Sequence, residues 1–222
     1  MATSLLSDIQ FGSFLIYSPR GTQEVSKRSK QICTGIKQDK NVTIKSTGVQ
    51  TSIIAHLIKI LREKVAGTPL DGFFTNETIL VPAPQSALTK PNTTQPTVRI
   101  CDELVRNGFG KESRFLLKRA LAVPKAAFAK TPSERPTVKT HFDSMEVINE
   151  IEKPATIIVV DDVVTRGNML LASVSKLKEV YPQSEVKGFA LVRTLGFDEV
   201  GDIYDPRIGK ISLKGENGSR SP

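Results

Sequence analysis

The segment 157–169, with the sequence IIVVDDVVTRGNM, constrains the possible folds more than any other part of the chain. It begins with an unbroken run of Ile and Val, which is typical of a strand buried on both faces of a parallel sheet. Asp161 and Asp162 end that run, and ligands of such sheets bind at the carboxyl ends of the strands. A small polar turn, TRGN, then precedes a predicted helix, whose N-terminal N–H groups and dipole favour an anion. The segment therefore predicts a phosphate-binding loop beside two carboxylates. The alternative is that the aspartates only end the strand and cap the next helix, which would explain one aspartate but explains two adjacent ones poorly.

The rest of the chain alternates between patterns typical of strands and patterns typical of helices. Strands are predicted at 11–18, 78–81, 156–161 and 186–192, and a strand or strand–helix junction is predicted at 115–123. Helices are predicted around Val25, Ile32 and Ile36 and at 49–65, 97–106 and 168–180. This alternation predicts an α/β fold with a mostly parallel, twisted sheet flanked by helices. Beyond Arg193 the pattern becomes irregular, and the final residues, LKGENGSRSP, are predicted to form a loose tail.

Two polar segments outside this alternation are candidates for function. Residues 124–147 are rich in Pro, Lys, Ser and Thr, and a connection of this length in a compact domain is usually functional or mobile. The second segment, PAPQS, follows directly after the predicted strand 78–81, and its Gln85 and Ser86 supply side-chain donors. From its residues alone, PAPQS could also be an ordinary proline-rich turn.

Charge and composition narrow the function classes. The 31 Lys and Arg against 23 Asp and Glu give a net charge of +8, which suits phosphates, diphosphates or nucleic acid, although no aromatic stacking surface supports nucleic acid. No zinc cage, nucleophile elbow or Walker-type phosphate loop is present, which argues against zinc, hydrolase and nucleotide triphosphatase chemistry. Cys33 and Cys101 are isolated thiols, and neither a leader pattern nor an apolar run near ~18 residues occurs. A soluble, cytoplasmic protein without a membrane span is therefore expected.

The hydrophobic strand, the two acids, the two apolar residues and the short polar loop resemble the phosphoribosyl pyrophosphate (PRPP) motif of the type I phosphoribosyltransferases. The resemblance implies that Asp161 and Asp162 hold the ribose 2- and 3-hydroxyls, partly through Mg2+, and that the loop after them wraps the 5-phosphate. It also implies that the loop after strand 78–81 contacts the pyrophosphate. The PRPP-binding residues implied in this way are Pro84, Gln85, Ser86, Asp161, Asp162, Val163, Val164, Thr165, Arg166, Gly167, Asn168 and Met169.

The same resemblance implies that residues 124–147 form a flexible hood over the reacting centre. The basic residues of the hood would reach the diphosphate: Lys125, Lys130, Arg135 and Lys139. Its aromatic residues and its histidine would contact the acceptor: Phe128, His141 and Phe142. The implied catalytic residues are Asp161, Asp162, Lys125 and Arg135, with the two aspartates also as metal ligands. For any single basic residue, a solvated loop position is the alternative.

Three positions depart from the family pattern. Thr165 stands where the 6-oxopurine enzymes of the family carry an acid, which counts against a hypoxanthine or guanine acceptor. Arg166 occupies a place usually held by a small residue, and Met169 replaces the usual Thr or Ser that closes the phosphate loop. Arg166 could compensate as a forked phosphate donor, or it could point to solvent.

The arrangement of residues 78–194 most resembles the ComF-like, amidophosphoribosyltransferase-like branch of the family. It implies a type I phosphoribosyltransferase-like core at 73–205, an N-terminal strand and helix region at 1–72 packed on that core, and a tail at 206–222. The implied activity is that of a Mg2+-dependent pentosyltransferase that transfers a 5-phosphoribosyl group from PRPP to a nitrogenous acceptor and releases diphosphate. The alternative is a non-catalytic protein of the same fold that senses PRPP or nucleotides, or assists DNA handling. A homodimer is expected because relatives commonly pair.

Overall fold

The computed structural model describes residues 5–88, 95–124, 131 and 134–221, and its elements alternate along the chain. In chain order they are β1 (Asp8–Tyr17), α1 (Glu24–Lys37), β2 (Asn41–Thr43), β3 (Gln50–Ser52), α2 (Ile53–Lys64), β4 (Ile79–Pro82), α3 (Pro96–Arg106), β5 (Glu112–Ser113), β6 (Leu117–Arg119), α4 (Val138–Asp143), β7 (Met145–Val147), β8 (Thr156–Val164), α5 (Asn168–Val180), β9 (Glu185–Thr194), β10 (Tyr204–Lys214) and β11 (Asn217–Ser221). The predicted helices and strands up to Arg193 are confirmed, with shifts of a few residues at their ends. None of the described helices is long and apolar enough to cross a bilayer.

Seven strands form the main sheet in the order β11-β10-β1-β9-β8-β4-β5. Neighbours from β1 to β5 in that order are parallel, whereas β10 and β11 are antiparallel additions at one edge. Two small antiparallel pairs, β2 with β3 and β6 with β7, lie outside the main sheet. The predicted α/β class with a mostly parallel sheet is therefore confirmed.

Strand β8 lies at the centre of the sheet, as its apolar run predicts. Its residues 157–160 are all fully buried. Ile158 and Val160 pack in one hydrophobic cluster with residues of α1, α2 and α3, and Ile157 and Val159 pack in the other with residues of α4 and α5. Because successive side chains of a strand point to opposite faces, an unbroken apolar run is what a sheet covered on both sides requires.

Strand β8 also continues further than predicted. It ends at Val164, so Asp161 and Asp162 lie within the strand rather than at its end. The neighbour β9 pairs with β8 as far as Val164, whereas pairing with β4 stops at Val160. The two acids therefore lie beyond the last paired residue of β4, where one edge of β8 is left open.

The prediction of a loose tail at the C-terminus is wrong. Strands β10 and β11 form a hairpin that pairs with β1, and Ile211 of β10 is fully buried. An edge hairpin is covered on one face and held largely by main-chain hydrogen bonds, so its sequence needs little apolar character. The proposed boundaries at residues 72 and 205 stay predictions, although β1 is itself a strand of the main sheet.

Helix α1 begins against a carboxylate from a distant loop. Its N-cap residue Gln23 makes no side-chain capping bond. Instead, the Glu199 carboxylate accepts from the Thr22 N–H at 2.7 Å, the Gln23 N–H at 3.2 Å and the Ser26 hydroxyl at 2.6 Å. These hydrogen bonds lower the pKa of Glu199 to about 2.

The Glu199→Gln variant is expected to unfold at a lower temperature than the wild type at pH 7. Because the pKa of Glu199 is lower in the folded chain than its ordinary value, its stabilisation is fully present above about pH 4.5 and disappears as the pH falls towards 2. Thermal melts between pH 7 and pH 2 should therefore show the two proteins converging. Glu77→Gln, at an exposed acid, serves as the control; a Glu199→Gln deficit that persists unchanged to pH 2 would contradict the capping role.

Candidate functional site

A cavity of about 570 Å³ opens where β4 and β8 end. Five separate parts of the chain line it: Lys37 of α1, residues 83–87 after β4, Pro96 and Thr97 of α3, Arg135, Pro136 and His141, and residues 161–170. The two loops that the sequence singles out therefore face the same space. All twelve residues predicted to bind PRPP are among those that line it.

The two aspartates form the acidic wall of the cavity. Both are partly buried, and each has one oxygen engaged by the main chain: the Asp162 N–H donates to Asp161 Oδ1 at 2.9 Å, and the Val163 N–H donates to Asp162 Oδ1 at 2.8 Å. Burial, together with the neighbouring charge of Asp162, raises the pKa of Asp161 well above its ordinary value. A cation placed against the pair would relieve both causes.

The acid pair fits one kind of metal site and not another. No group of three or more His, Cys, Asp and Glu side chains suited to holding a metal occurs within residues 5–88, 95–124, 131 and 134–221. Mg2+ is commonly bound by one or two carboxylates together with substrate oxygens and water, whereas zinc sites need three or four protein ligands. Asp161 and Asp162 therefore suit Mg2+ that arrives with an oxygen-rich substrate.

The loop after β8 presents a helix N-terminus to the cavity. Gly167 has a φ of 91° and is the N-cap of α5, with no side-chain capping bond and no acid in the first turn. Asn168, Met169 and Leu170 follow it along the cavity wall. Since the first N–H groups of a helix lack partners within it, this terminus favours an anion.

Asn168 has a structural role in addition to its place in that loop. Its side-chain amide donates to Pro136 O at 2.8 Å and to Asn217 Oδ1 at 2.9 Å, and its carbonyl accepts from the Gly218 N–H at 2.7 Å. The side chain thus connects the cavity loop to the segment before α4 and to the C-terminal hairpin.

The loop after β4 has its carbonyl groups held from outside the cavity. Arg119 donates to Pro84 O at 3.3 Å and to Gln85 O at 2.8 Å, and the Val123 N–H donates to Ser86 O at 2.9 Å. The described peptide bonds are all trans, so each carbonyl and the N–H that follows it point in opposite directions. The N–H groups of residues 85–87 therefore point away from these anchors, and residues 83–87 line the cavity.

The described hood residues divide into three groups. Arg135 and His141 line the cavity, whereas Lys139 is exposed and pairs with Asp143 at 2.6 Å. Phe142 is 1% exposed in the core, with the Lys176 amine 4.2 Å from its ring centre, so the prediction that it contacts an acceptor is wrong. It belongs to the apolar face that α4 packs against α5. Lys125, Phe128 and Lys130 lie outside the described residues.

His141 is a neutral group at the cavity wall. The side chain is 8% exposed, and its Nδ1 is buried without a hydrogen-bond partner among the described residues. Burial, with the positive charge of Arg119 as a second cause, lowers the pKa of His141 to about 4. The imidazole is therefore uncharged at neutral pH.

Lys37 and Arg119 are the residues that sequence reasoning missed. Lys37 ends α1 and lines the cavity, and its charge favours the ionised form of Asp161. Arg119 lies behind the wall and holds the loop after β4. Neither is near the acid pair in the sequence, and each looks like an ordinary basic residue of a helix or strand.

Comparison with known proteins assigns no family. Neither a protein-family model nor a curated protein sequence matches the chain. A crystal structure of an adenine phosphoribosyltransferase is similar over 74% of this chain and 89% of that chain, with 16% sequence identity and a TM-score of 0.32. A likeness at this level is too low to place the chain in a family or in the ComF-like branch.

Proposed function

We propose that the chain is a Mg2+-dependent phosphoribosyltransferase that transfers the 5-phosphoribosyl group of PRPP to a nitrogenous acceptor and releases diphosphate. One observation carries the proposal. The acid pair, the start of α5 with no side-chain cap, and the loop of residues 85–87 all line a single cavity. PRPP carries a diol, a phosphate and a diphosphate on one small sugar, and these three features of the cavity match those three groups.

The sugar-phosphate end of PRPP fits against β8 and α5. Asp161 and Asp162 would accept from the ribose hydroxyls, since each carboxylate has one oxygen free of main-chain bonds among the described residues. The 5-phosphate would lie at the start of α5, where the N–H groups and the helix dipole stabilise negative charge. Arg166 is exposed beside this loop and lines the cavity, which suits a further donor to phosphate.

The diphosphate end fits against residues 85–87. Their N–H groups supply donors, and Arg135 adds a positive side chain at the same cavity. Lys37 adds a second charge from α1, on the side of the acid pair. Bound Mg2+ would neutralise part of the charge that develops on the leaving diphosphate.

The reaction requires that these groups act on a developing positive charge. Breaking the bond between the anomeric carbon and diphosphate leaves an oxocarbenium-like ribose, as in glycosyl transfer generally. The carboxylates of Asp161 and Asp162 lie on the same wall as the predicted ribose position and would stabilise that charge. The segment with Arg135, Pro136 and His141 borders the cavity and would limit access of water to it.

The acceptor side gives fewer constraints. Thr165 is exposed and cannot act as the acid that assists proton transfer to a 6-oxopurine. His141 is neutral at the wall, which suits hydrogen bonding to an uncharged nitrogenous base or an amine. A homodimer and a cytoplasmic location stay predictions.

A non-catalytic PRPP or nucleotide sensor is the second candidate. The specific observation in its favour is that Met169 ends the phosphate loop without a hydroxyl and contacts Arg119 through its sulfur at 3.5 Å. A site that binds PRPP through the loops of β4 and β8 alone would not need an acceptor pocket.

Diphosphate release from PRPP decides between these candidates. Purified protein with PRPP and Mg2+ is tested against a panel of purines, pyrimidines and amines, with a chelator as the control for Mg2+. Release that depends on one acceptor supports the transferase. Calorimetric binding of PRPP with no release for any acceptor supports the sensor, and absence of both binding and release contradicts both.

A further inference from the structure

Two arginines on the same stretch of chain have opposite surroundings, since one is paired with carboxylates and the other is not. Arg114 forms ion pairs with Glu112 at 2.6 Å, Glu150 at 3.0 Å and Glu152 at 2.9 Å. Arg119, in β6, is 6% exposed and pairs with no carboxylate among the described residues. The chain outside the described residues contains no Asp or Glu side chain either. Arg119 is therefore a buried cation whose partners are neutral groups.

The neutral partners of Arg119 belong to three segments that border the cavity. Its guanidinium donates to Gln85 O at 2.8 Å, Pro84 O at 3.3 Å, His141 O at 3.4 Å, Ser144 Oγ and Met169 Sδ at 3.5 Å. These acceptors come from the loop after β4, from the C-terminal end of α4 and from the start of α5. One side chain thus fixes the relative position of three parts of the cavity wall.

Two physical consequences follow for a ligand. First, holding the carbonyls of Pro84 and Gln85 turns the next N–H groups, those of Gln85 and Ser86, away from Arg119, and both residues line the cavity. Second, a positive charge buried behind that wall is screened less than one in water, so its field extends into the cavity. Burial lowers the pKa of Arg119 to about 10, which leaves it charged at neutral pH.

A buried charge without a counter-ion is costly, and an anion placed nearby offsets that cost. The acid pair lies on another wall and makes no ion pair with Arg119. The cavity therefore has an acidic wall at Asp161 and Asp162 and an electropositive wall at residues 84–87. Met169, at the start of α5, supplies a thioether that accepts from Arg119 at 3.5 Å.

We propose that Arg119 is a positioning residue for the diphosphate side of the cavity, acting through the loop of residues 84–87. It orients the N–H groups of that loop and supplies a fixed positive charge behind them. The inference rests on the proposed function only for the identity of the anion.

The test compares the two ends of the substrate. Calorimetry measures the Kd of inorganic diphosphate with Mg2+ and, separately, the Kd of ribose 5-phosphate. Arg119→Met is expected to weaken diphosphate binding about 10- to 100-fold and to leave ribose 5-phosphate binding unchanged. Arg119→Lys keeps the charge but loses the forked geometry, so an intermediate loss is expected. Arg114→Met is the matched control, because it removes the same formal charge at a site away from the cavity and should leave both Kd values unchanged.

Several results would overturn the assignment. Equal weakening of both ligands by Arg119→Met would indicate a purely structural role, and unchanged diphosphate affinity would remove the role altogether. Wild-type protein that binds no diphosphate would also overturn it. Where Arg119→Met does not fold cooperatively in a thermal melt, Arg119→Lys carries the same comparison. Diphosphate binding that depends on Arg119 without any transfer from PRPP would leave this assignment standing and contradict the transferase instead.

Discussion

Replacing Asp161 and Asp162 together with asparagine is expected to abolish PRPP binding and to lower any transfer rate by at least about 10²-fold. The substitution keeps the size of both side chains but removes the two negative charges that the ribose hydroxyls and Mg2+ would require. Because burial and mutual repulsion penalise the ionised pair, the folded protein itself should lose little stability. Calorimetry with PRPP and Mg2+, together with a thermal melt, measures both effects.

The control for this double variant removes the same number of charges elsewhere. Asp8 and Asp198 are both exposed and lie outside the cavity, so Asp8→Asn with Asp198→Asn should leave PRPP affinity unchanged. PRPP affinity that survives in the Asp161/Asp162 double variant would contradict both the transferase and the sensor. A large loss of melting temperature in that variant would show instead that the acid pair stabilises the strand.

Among substitutions that add a single methyl group to the cavity wall, Gly167→Ala is expected to lower the stability of the folded protein most. Gly167 has a φ of 91°, and a Cβ there would lie 2.6 Å from Cδ1 of Ile211, which is fully buried. The unfavourable backbone conformation and the overlap together should cost about 3 kcal/mol, which for a chain of this size corresponds to a fall in Tm of roughly 6–12 °C. PRPP affinity should also fall, because relief of the overlap moves the start of α5.

Two other glycines separate the causes of this effect. Gly196 has a φ of 75° and open space where a Cβ would lie, so Gly196→Ala tests the backbone cost alone, about 1 kcal/mol. Gly201 has open space and no positive φ, so Gly201→Ala should be neutral. A Tm for Gly167→Ala equal to that of Gly196→Ala would mean that Ile211 does not limit the loop.

Local patterns of the sequence were sufficient to predict most strands of the sheet and most of the helices that cover it. The buried run at 157–160 and the helical stripe of α2 are consequences of side-chain periodicity, which depends only on near neighbours in the chain. The polar loops after β4 and β8 were recognisable for the same reason, because each follows directly on an apolar strand. Parallel strands then bring the ends of β4 and β8 to the same edge of the sheet.

The C-terminal hairpin and the true extent of β8 were not predictable in this way. Strand β10 is defined by its register with β1, where Ile9 faces Ile211, and β1 lies at the opposite end of the sequence. Asp161 and Asp162 extend β8 because β9 continues to pair with it, although acids are poor strand formers on their own. Main-chain pairing with a distant partner decided both features.

The sequence by itself determined the order of the elements, the buried central strand and the two loops whose residues suit a sugar phosphate. Only the tertiary structure decided which charged side chains lie near those loops. Lys37 of α1 lies beside the acid pair, and Arg119 lies behind the loop after β4. The physical reason is that periodicity and turn chemistry act over a few residues, whereas the place of a long basic side chain depends on how helices and strands far apart in the chain pack together. Arg114 and Arg119 illustrate this, since the same residue type is surrounded by three carboxylates in one case and by neutral carbonyl, hydroxyl and thioether groups in the other.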